Sequence, residues 1–270
     1  MVELTATLDR GDAVIRYHDS GGSGRPVVLL HGAGMDHTSF AAQAEAVQDA
    51  GYRSVLVDQR GHGRSALADG TRFTADDALA DLGALIDELV LDRPVLVGHS
   101  MGGNLSQAFV RAHPAQVGGL IVIGATWNAG PLTRAERVQL RMAMPALRMI
   151  PASQLSALSA KASAVSGAAV ERIRQVFARM PKQVFLDVMR ATASFVEPEP
   201  SSRTPVPLGL VVGAEDRTGN IITAMRAWAS AEGVRLREIP GAGHVAMADA
   251  PDAVSAAILD LLREWDGTPD

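Results

Sequence analysis

The fold of this chain follows from one stretch, Pro94-Val-Leu-Val-Gly-His-Ser-Met-Gly-Gly-Asn104. Residues 95–97 favour β-structure, the sequence Gly-His-Ser-Met-Gly follows at 98–102, and a helical run extends over 105–112. This order predicts a strand, a sharp turn and a helix, with Ser100 at the tip of the turn in a strained backbone conformation. The two glycines of the turn lack Cβ atoms, so the strand and the helix can pass close to the serine. We interpret Ser100 as a nucleophile; the alternative is an ordinary turn serine.

Strands and helices alternate along most of the chain. Continuous apolar runs at residues 26–31, 52–58 and 120–123 are typical of strands buried on both faces, and helical patterns separate them. Alternation of this kind predicts a parallel sheet with right-handed crossover connections. The alternation stops between residues 126 and 203, where four helical runs and a proline-rich linker replace the strand signals. It then resumes, so this region is interpreted as a helical insertion.

Composition narrows the classes of function. The chain has 25 basic and 30 acidic residues, a balance that gives no reason to expect a nucleic-acid partner. It has no cysteine, which excludes disulfides and thiolate metal sites, and we expect neither a metal nor a cofactor. The first residues lack a signal-peptide pattern, and no apolar run approaches the length that spans a bilayer. We therefore expect a cytoplasmic protein of 270 residues with no membrane partner. The sequence leaves its oligomeric state open.

A serine hydroxyl is a poor nucleophile unless a base takes its proton, and a carboxylate improves the base by orienting it. Seven histidines compete for the role of base. His244 is predicted to fill it, because it follows a strand in a glycine-rich loop that can reach across the edge of the sheet. His99 adjoins Ser100 and is expected to point elsewhere. Other histidines are interpreted as bracing, loop or surface residues: His18, His31, His62 and His113.

The carboxylate is expected just beyond the apolar run at 208–212, at the sheet end where sites form in open α/β folds. Glu215 and Asp216 both lie there. We predict that Asp216 orients His244, and we interpret Glu215 as a solvated loop residue.

Five short motifs occur along the chain. They are His31-Gly-Ala-Gly34, Asp58-Gln-Arg-Gly-His-Gly-Arg-Ser65, Gly98-His-Ser-Met-Gly-Gly103, Gly213-Ala-Glu-Asp216 and Gly241-Ala-Gly-His244. In these motifs, and in the order serine, aspartate, histidine, the chain resembles the α/β-hydrolase fold superfamily over essentially its full length. The resemblance implies an α/β fold with a mostly parallel eight-stranded sheet, helices on both faces and an inserted helical cap. The domains would be the first part of the core (1–125), the cap (126–203) and the second part of the core (204–270).

The resemblance also bears on the rest of the site. Some relatives place the acid after the sixth strand, which here is followed by Gly124-Ala-Thr-Trp-Asn128 without a carboxylate, so Asp216 is favoured. The backbone N–H of Met101 lies at a predicted helix N-terminus, where the dipole favours an anion, and it is predicted to form part of an oxyanion hole. By resemblance the second donor is the N–H of Ala33. The alternative is that the loop around Ala33 is merely a turn.

The predicted cap holds five of the ten methionines of the chain. Methionine adapts to varied apolar groups, which favours a small or medium apolar acyl ester as substrate. The residues predicted to line the substrate pocket are Trp127, Met142, Met144 and Met149. The alternative is that they only pack the cap helices together. The cap also has ten basic against five acidic residues, an asymmetry that can steer an anionic substrate unless the arginines simply lie on solvated helix faces.

These residues predict a serine hydrolase that cleaves a small-molecule carboxylic ester or lactone through an acyl-enzyme intermediate. The first alternative is another chemistry of the same scaffold: carbon–carbon bond hydrolysis, cofactor-free perhydrolysis as in haloperoxidases, or lyase activity. The carbon–carbon hydrolases that the chain resembles typically carry Trp after the catalytic histidine, whereas Val245 stands here. Epoxide hydrolases and haloalkane dehalogenases need Asp at the position of Ser100. The last alternative is a non-catalytic ligand binder that retained the triad.

Overall fold

The described residues are built around one mixed β-sheet. The computed structural model describes residues 2–199 and 201–267, with only the backbone at 139. The strands are β1 (Ala6–Asp9), β2 (Ala13–Asp19), β3 (Pro26–Leu30), β4 (Arg53–Asp58), β5 (Ala66–Leu67), β6 (Val95–His99), β7 (Gly119–Ile123), β8 (Leu208–Gly213) and β9 (Leu236–Ile239). Eight of them lie in the order β1-β2-β4-β3-β6-β7-β8-β9, and β5 pairs with β2. From β4 to β9 neighbouring strands are parallel, while β1 and β2 are antiparallel additions. The predicted mostly parallel eight-stranded sheet is confirmed, with the two-residue β5 beside it.

Helices connect the strands. They are α1 (Ala41–Asp49), α2 (Ala75–Glu88), α3 (Met101–Ala112), α4 (Arg134–Met149), α5 (Ala152–Ser163), α6 (Gly167–Phe177), α7 (Lys182–Ser194), α8 (Ile221–Glu232), α9 (Ala246–Asp249) and α10 (Pro251–Asp266), with short 3-10 turns at His37–Phe40 and Pro114–Gln116. None of the helices in the described ranges is both long enough and apolar enough to cross a bilayer.

Both faces of the sheet are buried under helices. On one face, Leu96 of β6 shares an apolar cluster with Phe109 of α3 and Trp228 of α8. On the other face, Val97 of β6 shares a second cluster with Ile258 of α10. Because successive side chains of a strand point to opposite faces, a strand covered on both sides must be apolar throughout. This explains the continuous apolar run that precedes the serine, and it confirms the predicted helices on both faces.

Four helices, α4 to α7, lie between β7 and β8, where the sequence predicted helices without strands. A capping box begins α4: the Thr133 hydroxyl accepts from the N–H of Glu136, and the Glu136 carboxylate accepts from the N–H of Thr133 at 2.7 Å. Pro145 lies inside α4, although proline ordinarily breaks a helix interior because it lacks an N–H and crowds the preceding turn. The boundaries of the cap as a domain, residues 126 and 203, stay a prediction.

Candidate active site

Ser100 occupies the turn between β6 and α3 with φ 51° and ψ −117°. A residue other than glycine in such a conformation costs about 1–3 kcal/mol and persists only where its surroundings hold it. Here its N–H donates to the carbonyl of Ile123 at 3.0 Å, and its own carbonyl accepts from the N–H of Asn104 at 2.9 Å. A Cβ atom on Gly98 would collide with the backbone of Gly102, so the strand and helix pass as closely as the sequence predicted.

The structure brings Ser100, His244 and Asp216 together in one hydrogen-bonded chain. His244 Nε2 lies 3.0 Å from Ser100 Oγ, and its Nδ1 lies 2.8 Å from Asp216 Oδ2. The other oxygen of Asp216 accepts from the N–H of Thr218 at 2.8 Å. Because the carboxylate can only accept, it holds the proton of the ring on Nδ1 and leaves Nε2 free to take the proton of the serine. Glu215 is exposed at the surface, apart from this chain.

The carboxylate of Asp216 is buried and still charged. Burial by itself would raise its pKa, but the hydrogen bond and charge of His244, with hydrogen bonds from Thr218, hold the pKa below its ordinary value. Asp216 is therefore ionised at neutral pH, where it can stabilise the imidazolium that forms when His244 takes a proton.

His99 does not point away from the site, as the sequence reasoning expected, but lies against the ring of His244. The two ring centroids are 4.8 Å apart, and His99 Nε2 donates to the backbone carbonyl of His244 at 2.9 Å. Complete burial, together with the nearby charge of His244, lowers the pKa of His99 to about 3. His99 is thus a neutral ring at physiological pH, and it supports the loop that carries His244 without competing as a base. Nothing in the local sequence signals a contact between residues so far apart in the chain.

The loop after β3 passes directly beside the serine. A Cβ atom on Gly32 would lie 3.2 Å from Ser100 Cβ. His31 braces this loop, since its Nδ1 bonds to the carbonyl of Gly32 at 2.9 Å and its Nε2 accepts from the N–H of Gln59 at 3.1 Å. Within residues 2–199 and 201–267, neither the N–H of Ala33 nor that of Met101 donates a hydrogen bond to the protein. Both N–H groups are therefore available to an oxyanion.

A model of the alpha/beta hydrolase family matches residues 27–257 of this chain. The chain belongs to the α/β-hydrolase family. Its match extends from β3, through the serine turn and the helical insertion, to α10, and so includes all three members of the hydrogen-bonded chain.

The chain is similar to proteins that catalyse different reactions. It is 30% identical over 273 residues to haloalkane dehalogenase 2 of Mycobacterium tuberculosis, covering 94% of this chain and 93% of that protein. It is 37% identical over 113 residues to a 2-hydroxy-6-oxononadienedioate/2-hydroxy-6-oxononatrienedioate hydrolase of Burkholderia vietnamiensis, a match that covers 41% of this chain. The chain spans only 39% of the length of that curated relative. Among solved structures, a thermophilic esterase from Thermogutta terrifontis superposes with a TM-score of 0.78 at 26% identity over 98% of both chains.

The four residues predicted to line the substrate pocket differ in burial. Met142 and Met149 are 58% and 83% exposed on α4, and Met144 is half-buried. Trp127 is buried against Trp228, with stacked rings whose centroids are 6.1 Å apart. That Met142 and Met149 line a substrate pocket stays a prediction. The sequence of α4 indicates an amphipathic helix, but it does not show which of its apolar side chains the rest of the protein covers.

A different part of the cap covers the loop of Ala33. Its apolar cluster, to which Ala33 packs, contains Leu155, Phe177 and Phe185, with Leu147, Ile150, Met180 and Met189 beside them. The rings of Phe177 and Phe185 meet edge to face, with centroids 4.7 Å apart. These side chains form an apolar cluster in contact with Ala33, one of the two candidate oxyanion donors. Methionine and phenylalanine content pointed to such a surface, but only the packing of α5, α6 and α7 identifies its members.

A cavity of about 1140 Å³ lies away from the three residues of the hydrogen-bonded chain. Phe73, Trp127, Phe195 and Trp228 are among its lining residues, and Ser100, Asp216 and His244 are not. Arg111 at its rim pairs with Glu199 at 2.9 Å, and both are half-exposed. The residue Trp127 therefore belongs to this cavity and not to the hydrogen-bonded chain.

Proposed function

We propose that this protein is a serine hydrolase that cleaves a small or medium apolar carboxylic ester or lactone. The observation that supports this most is the continuous chain from Ser100 through His244 to Asp216, at hydrogen-bond distances of 3.0 and 2.8 Å. The N–H groups of Ala33 and Met101, which have no acceptor among the described residues, and the apolar cluster against which Ala33 packs further support the proposal.

The proposed reaction has two halves. In the first, His244 Nε2 takes the proton of Ser100 as Oγ attacks the carbonyl carbon, and the N–H groups of Ala33 and Met101 stabilise the oxyanion. One such donor is worth about 2.7–4 kcal/mol in the transition state. The imidazolium then protonates the leaving alkoxide, and the acyl group remains on Ser100. In the second half His244 takes a proton from a water as the water oxygen attacks the acyl carbon. The bond between that carbon and Ser100 Oγ then breaks, Oγ takes the proton back from His244, and the acid leaves.

The relatives suggest other chemistries, and the serine separates them. A serine that displaced a halide from an alkyl carbon would form an ether, which has no carbonyl for water to attack, so the dehalogenase reaction does not suit Ser100. Carbon–carbon bond hydrolysis is the second candidate function, favoured by the 37% identity to the Burkholderia vietnamiensis hydrolase over 113 residues. The residue after His244 is Val245, not the tryptophan typical of those enzymes, which favours esters.

A series of p-nitrophenyl esters tests the proposal. We expect kcat/KM to be greatest for acyl chains from acetate to octanoate and to fall for dodecanoate, because a pocket lined by a small apolar cluster accepts only part of a long chain. Release of p-nitrophenol is followed at a fixed salt concentration. Release no faster than from buffer across the whole series would contradict an ester hydrolase.

Charge on the cap leads to a second expected result. Four arginines of α4 are exposed: Arg134, Arg137, Arg141 and Arg148. Exposed charges act over about 8–10 Å near physiological ionic strength and are screened by added salt. We propose that they attract a substrate that carries an anion beside its ester. The kcat/KM of a monoanionic ester should then exceed that of a matched neutral ester several-fold at low salt, and this preference should vanish at high salt. If both esters respond to salt in parallel, the cap does not steer the substrate.

A further inference from the structure

Asp249, the last residue of α9, joins two parts of the molecule through its side chain. Its Oδ2 accepts from the N–H of Gly243 at 2.9 Å, and its Oδ1 accepts from the N–H of Ser166 at 2.9 Å. The N–H of Val165 lies between them, 3.0 Å from Oδ2 and 3.2 Å from Oδ1. Gly243 immediately precedes His244, whereas Val165 and Ser166 form the connection between α5 and α6 in the cap. One carboxylate thus holds the loop of the proposed base against the cap.

A second contact fixes the same loop on the other side of His244. The N–H of Val245 donates to the carbonyl of Ser163, the last residue of α5, at 2.8 Å. The helices that flank this connection are themselves anchored, because Ala160 of α5 and Ile173 of α6 are buried in one cluster with Val245. Backbone groups on both sides of His244 are therefore bonded to the cap, either directly or through Asp249.

We propose that Asp249 is a positioning residue that makes the alignment of His244 with Ser100 depend on the seating of the α5–α6 part of the cap. This inference rests on the proposed function, in which His244 takes the proton of Ser100. Hydrogen bonds to an ionised acceptor are stronger than those between neutral groups, so three N–H donors on one carboxylate resist displacement of the loop. A catalytic group displaced by about 1 Å can lose about a hundredfold in rate, which makes such a restraint effective.

Asp249→Asn removes one of the two oxygens through which Asp249 joins the loop of His244 to the cap. The carboxamide has a single acceptor oxygen, so it can serve Gly243 or the cap N–H groups but not both. We expect kcat for a p-nitrophenyl ester to fall about tenfold to a hundredfold, with KM changed less than about threefold. Inactivation by a fluorophosphonate, which reports the reactivity of Ser100, should slow by the same factor. The matched control is Asp252→Asn, the same change at an exposed residue three positions later.

Variants at Ser166 approach the contact from the cap. Ser166 has φ −77°, a value that proline adopts. Ser166→Pro removes the N–H that donates to Asp249, and the ring carbon that replaces the hydrogen pushes the carboxylate away. Ser166→Ala is its matched control, because both variants lose the hydroxyl that accepts from the N–H of Ala169 and only proline loses the N–H. We expect kcat of the proline variant to be several-fold below that of the alanine variant. In an Asp249→Asn background, the proline and alanine variants of Ser166 should have the same kcat, because both Asp249→Asn and Ser166→Pro remove the same interaction.

Several outcomes decide the inference. If Asp249→Asn and Ser166→Pro match their controls in kcat and in fluorophosphonate reactivity, Asp249 does not position His244. If circular dichroism shows that Asp249→Asn does not fold, the Ser166 pair decides alone. Failure of the proposed function is distinguishable, because the wild-type protein would then neither hydrolyse the ester nor react with the fluorophosphonate.

Discussion

Ser100→Ala is expected to abolish ester hydrolysis, with a fall in kcat on the order of 10⁶, while the protein stays folded. Loss of a triad nucleophile leaves only the rate that binding and the oxyanion donors support. Alanine retains the Cβ atom of serine, so the strain at φ 51° is the same in both proteins and stability should change little. The measurement is kcat for a short p-nitrophenyl ester, beside a circular dichroism spectrum and a thermal melt.

A matched control for this variant is Ser106→Ala in the same helix. The buried hydroxyl of Ser106 donates to the carbonyl of Gly102 at 2.7 Å and makes no contact with His244. It should reduce kcat far less than Ser100→Ala does. Retention of most activity by a folded Ser100→Ala protein would show that another group is the nucleophile.

Asp216→Asn is expected to lower kcat about 10⁴-fold. The amide would fit the same space, and its oxygen can still accept from Thr218, but its NH₂ group would then face His244 Nδ1. The ring would have to accept there and carry its proton on Nε2, the atom that must receive the proton of Ser100. Steady-state kinetics with the same ester measure the effect.

Glu215→Gln is the control for the loss of negative charge next to the site. Glu215 is exposed, so its removal should change kcat only slightly. The opposite ranking of the two variants would assign the acid to Glu215 and would leave the 2.8 Å contact of Asp216 without a catalytic role.

The parts of the site that sequence could predict are those fixed by local backbone geometry. A serine between glycines at the end of an apolar strand favours a sharp turn, and Ser100 lies in such a turn with φ 51°. The ends of parallel strands meet at one edge of a sheet, which is why loops after β8 and β9 were expected to bring Asp216 and His244 to this turn.

The parts of the site that sequence could not predict depend on which surfaces of the helices and loops pack against each other. Helix α4 carries apolar side chains on more than one side, and nothing in its spacing shows that Met142 and Met149 face solvent while Leu147 packs beside Phe177. His99 and Asp249 were missed for a related reason. Their partners lie across the fold at His244 and in the α5–α6 connection, and a local pattern contains no record of them. Strand β5 has only two residues, too few to show the alternation by which a strand is recognised in a sequence.

The position of the helical insertion in the sheet determines how easily this segment can be exchanged between related proteins. Helices α4 to α7 leave the core after β7 and return at β8, and these two strands are hydrogen-bonded neighbours, with Leu120 opposite Leu208. Because the two ends of the segment are held next to each other, the entropic cost of closing the segment between them depends only weakly on its length. A recombination event, or a designed chimera, can therefore exchange this one contiguous segment for a foreign one and leave the sheet register intact. To hold the loop of His244 as the present segment does, the incoming one must present two successive backbone N–H groups and one carbonyl where Asp249 and Val245 now meet Ser163 to Ser166. It must also replace the buried side chains of Ala160 and Ile173.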